Sequence, residues 1–130
     1  MRGRRGSVMV ELALVFTTFV FLLVAIMDFG RMGFALNSIT YAAHHAARFA
    51  ATNGSGSGHA ASTADIQSNV QSNIVALDTA ALTTTVTWTP DNSPGSKVQV
   101  VISYSFKPLL IPISSTTLTL KSTSSQYITQ

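Results

Sequence analysis

The sequence predicts an α+β protein in which a long amino-terminal helix leads to a small head, one short helix on a three-stranded antiparallel sheet. Three observations predict it. No proline occurs before Pro90, so nothing interrupts helical patterning over the first part of the chain. The apolar period changes from helical to two at Leu82. Two turn-forming clusters, "TNGSGSGH" and "PDNSPG", punctuate the rest. At 130 residues there is room for one small core beside an anchor, and not for two cores.

The helix begins with an apolar run. Sixteen residues from Leu12 to Met27 carry no charge, and only Thr17 and Thr18 among them are polar. They reach about 24 Å, short of the roughly 30 Å hydrocarbon core of a bilayer. Counted from Ser7, the run has 21 residues and reaches about 31 Å, which fits and places Glu11 inside the apolar length. An intramembrane carboxylate costs on the order of 2.5 to 3.5 kcal/mol at the membrane centre and less near an edge, which makes Glu11 a candidate functional residue. Arg2, Arg4 and Arg5 precede the run, so the positive-inside rule predicts a cytoplasmic amino terminus and an exported remainder. Arg31 and Arg48 weaken this asymmetry without reversing it. A basic tip before an apolar run also describes a secretory signal peptide, although no A-x-A follows and "GFA" at Gly33 to Ala35 is a weak substitute.

Helical patterning continues past Asp28. Phe29, Met32, Leu36, Ile39, Ala43, Ala46 and Ala50 recur at alternating steps of three and four, the spacing of a helix that buries one seam. The seam fits a partner helix or the chain's own head. A transmembrane and projecting helix over 7–51 is therefore expected, followed by a Gly/Ser linker over 52–61 and a head over 62–130. Ser62 and Asp65 resemble a capping box, and Ile66, Val70, Ile74 and Leu77 repeat at helical spacing behind them. Leu82, Thr84, Val86 and Trp88 alternate with threonines as a half-buried strand. After the "PDNSPG" turn, Val98, Val100, Ile102, Tyr104 and Phe106 form the second strand of a hairpin. "KPLLIPI" breaks the ladder with Pro108 and Pro112, and a third strand is expected around Leu118 and Leu120. Alternation makes Trp88 and Tyr104 core residues; left exposed, either would serve as an interface anchor.

The composition argues against several functions. There is no cysteine, and so neither a disulfide nor a thiolate metal site. Three of the eight basic residues lie in the first five positions, which describes a basic tip and no nucleic-acid-binding face. Glu11, Asp28, Asp65, Asp78 and Asp91 form no near pair in sequence for acid and base work. His44 and His45 are adjacent, so on a helix they diverge by about 100° and cannot share a metal as an i, i+4 pair would. No catalytic, cofactor or metal site is expected, and the chain reads as a non-enzyme.

Basic residues, Gly6, and then Glu11 opening an apolar helix, in "RRG SVMVE LALVF", resemble a type IV prepilin processing site. "DFGR" at Asp28, Phe29, Gly30 and Arg31 closes the span, "AAHHAARFAA" closes the helix, and "YSFKPLLIP" lies between the last strands. Together these stretches resemble the TadE-like family, small pseudopilins of tight-adherence (Flp-type) pilus systems. The chain departs from the family pattern at Thr17, where a proline is frequent, and at "HHAAR", where relatives commonly carry "REGAR". The resemblance implies a leader over 1–6, cut between Gly6 and Ser7 by a prepilin peptidase. It also implies a single-pass protein of the bacterial inner membrane, its head periplasmic, whose partners are lipid, other pilins or pseudopilins along the helix, and the pilus inner-membrane platform proteins. Cleavage would leave an α-amine on Ser7, one helical turn from Glu11, and pairing lowers the cost of both charges in low dielectric. A minor pseudopilin is the first expectation. The alternative is a membrane-tethered envelope binding or adhesion module whose helix is only an anchor.

Overall fold

The computed structural model describes residues 3–109 and 117–129. Arg2 lies outside the described residues, as do Pro112 with the rest of 110–116 and the side chains of Arg4 and Arg5. The fold is α+β, as expected: helix α1 (Gly3–Thr52), helix α2 (Thr63–Asn73) and strands β1 (Leu82–Thr89), β2 (Lys97–Phe106) and β3 (Leu118–Tyr127). The strands form one antiparallel sheet in the order β1-β2-β3.

α1 has 50 residues, which corresponds to about 75 Å. Up to Met27 its described side chains are exposed, Val24 alone being half-buried, so this half is an uncovered apolar rod. Among the described residues, one segment, within Gly6–Thr52, is long and apolar enough to cross a membrane. From Ala35 onward one face enters the core through Ile39, Ala42, Ala43, Ala46, Ala47, Ala50 and Ala51. The alanines let the helix axis approach the sheet closely, and the sheet provides the bulk through Val98, Val100 and Ile102. α2 closes the same core with Ile66 and Val70.

The buried stripe differs from the expected seam at its start. Ile39, Ala43, Ala46 and Ala50 are buried, but Phe29 and Leu36 are exposed. Phe29, Leu36, Ala43 and Ala50 are seven apart, and a straight α-helix drifts about 20° per heptad, so this row rolls out of the interface toward the amino terminus. The covering surface is also a sheet, wider than one helix, and takes the pairs Ala42/Ala43 and Ala46/Ala47 together.

The top of the head is tied to the end of α1. Thr129 donates its N–H (3.0 Å) and its hydroxyl (3.2 Å) to the Ala51 carbonyl, and Asn53 donates N–H (3.1 Å) and Nδ2 (2.9 Å) to that of Phe49. These bonds satisfy carbonyls that a helix end otherwise leaves without partners. The Gly/Ser segment folds over this end: Ser55 N–H donates to Asn92 O (2.9 Å) and Ala61 N–H to Asn53 O (2.8 Å). It is an anchored loop across the top of the core. α2 opens with both arms of the capping box, Asp65 N–H donating to Ser62 Oγ (3.2 Å) and Ser62 N–H to Asp65 Oδ2 (2.9 Å). The helix stops at Asn73; Ile74 is still buried but extended, and Leu77 lies in the following loop.

In the sheet, Leu82, Thr84, Val86 and Trp88 face the helices beside Val98, Val100, Ile102, Tyr104 and Phe106. Trp88 and Tyr104 are half-buried against the core, in agreement with the alternation. Ser122 and Ser124 of β3 stand opposite Ile102 and Val100, so this edge of the sheet meets α1 through small side chains. The other face carries Thr83, Thr85 and Thr87, with Gln99, Thr123 and Ser125, and is solvated.

Candidate functional site

The uncharged run ends at Asp28, and here the head touches the helix. Arg31 follows at i+3 on the same face and donates Nη1 to Asp28 Oδ1 at 3.0 Å. The other carboxylate oxygen accepts the backbone N–H of Leu109 at 2.6 Å. That N–H lies beyond the end of β2, where the strand ladder no longer supplies an acceptor. The Arg31 guanidinium carbon stands 5.3 Å from the centre of the Phe106 ring, in cation–π range. Asp28 is 8 % exposed, and a carboxylate so covered is retained only with partners of this kind. Thus Asp28 and Arg31 of "DFGR" and Phe106 and Leu109 of "YSFKPLLIP", separated by 81 positions at the Asp28–Leu109 bond, form one junction. Asp28 and Arg31 face the head. Phe29 is 73 % exposed, and a Cβ added at Gly30 would meet nothing within 4 Å.

Beside the junction, Gly30, Arg31, Phe34, Leu77, Tyr104 and Phe106 line a shallow cleft of about 270 Å³. Ala76, at its rim, holds a left-handed φ of +61°.

Higher on α1 the adjacent histidines diverge as expected, each onto a different element. His44 Nδ1 lies 2.9 Å from Ser124 Oγ on β3. His45 Nδ1 lies 3.2 Å from Asn69 Oδ1 and 3.3 Å from Asn73 Nδ2 on α2. A carbonyl oxygen and an amide donor address the same ring nitrogen, so either tautomer of His45 finds a partner. Both histidines are exposed, and both also clamp α1 to its neighbours, which residue type alone did not reveal. With Tyr41, Arg48 and Gln126 they line an open cleft of about 350 Å³. Among the described residues, no group of three or more His, Asp or Glu side chains is placed to hold a metal ion.

At the amino-terminal end, Gly6, Ser7 and Glu11 lie on exposed turns of α1, with Ser7 and Glu11 four residues apart on one side. A Cβ at Gly6 would meet nothing within 4 Å, so packing within this chain gives no reason for a glycine there. Residues 6–48 match the TadE-like protein family. The TadE-like segment starts at Gly6, contains the whole apolar run and the Asp28–Arg31 pair, and ends at Arg48 beside the two histidines. It therefore includes Ile39, Ala42, Ala43, Ala46 and Ala47 of the core, while Ala50, Ala51, α2 and the sheet lie outside the match. No curated protein and no solved structure matches the chain.

Proposed function

We propose that the protein is a minor pseudopilin, an assembly component of a Flp-type pilus or a related secretion machine. One observation carries the reading. The TadE-like match begins at Gly6, a glycine that packing within this chain does not require, and runs along a helix that passes unbroken from an exposed apolar span into the core of a head.

On this reading a prepilin peptidase cuts between Gly6 and Ser7, and the arginine tip remains on the cytoplasmic side. The new Ser7 amine has an ordinary pKa of about 7.7 to 8 and is charged at neutral pH, while the Glu11 carboxylate one turn away is its counter-ion. Between subunits, the amine of an arriving copy meets Glu11 of one already placed, which fixes axial register. The head, which a pilin consisting of the helix alone would lack, fits a minor position in the assembly. Lipid, other pilins and the platform proteins are the partners this role requires.

Mass spectrometry of the mature amino terminus is the direct test. A start at Ser7 is expected; an intact Met1 or a start near Leu36 overturns the pseudopilin reading and leaves a tethered binding module or a secreted head. Glu11→Ala is expected to insert normally and to abolish pilus assembly, and normal piliation would remove the register role. Gly6→Leu leaves the helix intact and keeps the six-residue leader, read as unchanged mobility on a resolving gel.

A further inference from the structure

We propose that the base of the head is seated in the surface of the leaflet from which α1 emerges, with Leu109 and Leu118 in contact with phospholipid. The proposal rests on the reading that α1 spans a membrane. From Ser7 to Met27 the helix covers about 31 Å, which puts Asp28 at the hydrocarbon boundary. The Leu109 N–H is bonded to the Asp28 carboxylate, so the end of β2 is held at that boundary and not above it. Leu118 opens β3 opposite Phe106, whose ring carries the Arg31 guanidinium, so the third segment begins at the same level.

The chemistry at this level is that of a lipid interface. Met27, Phe29, Leu109 and Leu118 are exposed, Leu109 at 54 % and Leu118 at 46 %. The cations Arg31 and Lys107 are open to solvent beside them, whereas Asp28, the acid that pairs with Arg31, is covered. Exposed apolar side chains flanked by cations with the carboxylate withdrawn match hydrocarbon below and phosphate above. Continuity selects the occupant: the leaflet that surrounds Met27 is the surface these residues reach. The opposite end of the sheet provides a contrast. Tyr127 is also exposed but pairs with Lys97, some nine residues of strand away from Leu118.

The absence of cysteine allows single probes in the full-length chain. Leu109→Cys, Phe19→Cys and Tyr127→Cys, each carrying a bimane fluorophore, are reconstituted in phosphatidylcholine and phosphatidylglycerol vesicles with nitroxides at acyl carbon 5 or 12. The probe at 109 is expected to be quenched at least twofold more than that at 127, and more by carbon 5 than by carbon 12. The probe at 19 is expected to respond more to carbon 12. Quenching at 19 with none at 109 beyond the level of 127 overturns the seating and leaves the span intact. A blue-shifted probe at 109 that lipid nitroxides do not quench identifies a second copy as the cover, and also overturns it. No quenching at 19 overturns the span and the seating together.

Discussion

Asp28 does two things that a boundary carboxylate need not do: it neutralises Arg31 and it accepts the Leu109 N–H. Removing it leaves a part-buried donor and a guanidinium without their acceptor, which costs about 1.5–3 kcal/mol for hydrogen bonds to a charged group. Asp28→Ala is therefore expected to lower the unfolding free energy of the head by that amount, read from the fluorescence of Trp88, the single tryptophan, in denaturant titrations in detergent. Gly30→Ala, two positions away, is expected to move it the other way by about 0.5–1 kcal/mol, because the helix gains a better former and the added Cβ meets nothing. The importance of Asp28 was legible as part of a motif, and its role was not. Its partner is a backbone N–H 81 positions away, and a backbone donor leaves no mark in a sequence. The histidines were hidden for a related reason: Ser124, Asn69 and Asn73 are ordinary polar residues until the fold brings them to the rings.

Single elements were more legible, because their causes are local. Threonine alternation set β1, the proline and glycine cluster set the hairpin loop, and the Ser62/Asp65 pair set the start of α2. The capping pair also gives α2 a dependence on pH. In the folded chain the Asp65 carboxyl is held below its ordinary 3.8, first by the Ser62 hydroxyl and then by the Ser62 N–H. Asp91 in the β1–β2 loop is lowered likewise, first by the Ser96 hydroxyl and then by the Ser93 N–H. A carboxyl whose folded pKa is depressed supports folding above its unfolded value, and this support is lost as pH falls through the folded value. The melting temperature of the head is expected to hold from neutral pH to about pH 4, and to fall progressively below that. Asp65→Asn should melt lower at pH 7 and show a shallower acid decline, measured by far-UV circular dichroism from pH 7 to pH 2. An unchanged acid slope would show that the cap does not contribute. What the local signals missed was the breadth of the α1 stripe, since only the tertiary partner decides whether a helix meets another helix or a sheet.

At the scale of the whole molecule, composition divides the chain at the Gly/Ser segment, yet the hydrophobic core is built across that segment. Ile39, Ala42, Ala43, Ala46, Ala47 and Ala50 from α1 share one cluster with Ile66 and Val70 from α2 and with Val98, Val100 and Ile102 from β2. The outer half of α1 is thus part of the head, and the segment over 62–130 alone would expose the inner face of its own sheet. Ile39→Ala by itself is expected to cost about 2–5 kcal/mol, the usual range for emptying a fully buried isoleucine site. Domains of this size are stable by only about 5–15 kcal/mol, so removing the whole helical layer exceeds what the rest can absorb. A soluble fragment over 28–130, which keeps the Asp28 junction and the alanine face but not the apolar rod, is expected to unfold in one cooperative thermal transition. A fragment over 62–130 is expected to show no such transition and to bind a hydrophobic dye at low temperature. If the shorter fragment melts cooperatively, α1 is a tether and the alanine face is free for another helix. If only the longer one does, any helix that packs along α1 beyond the membrane must use the opposite side, where Gly33, Asn37 and Tyr41 are exposed.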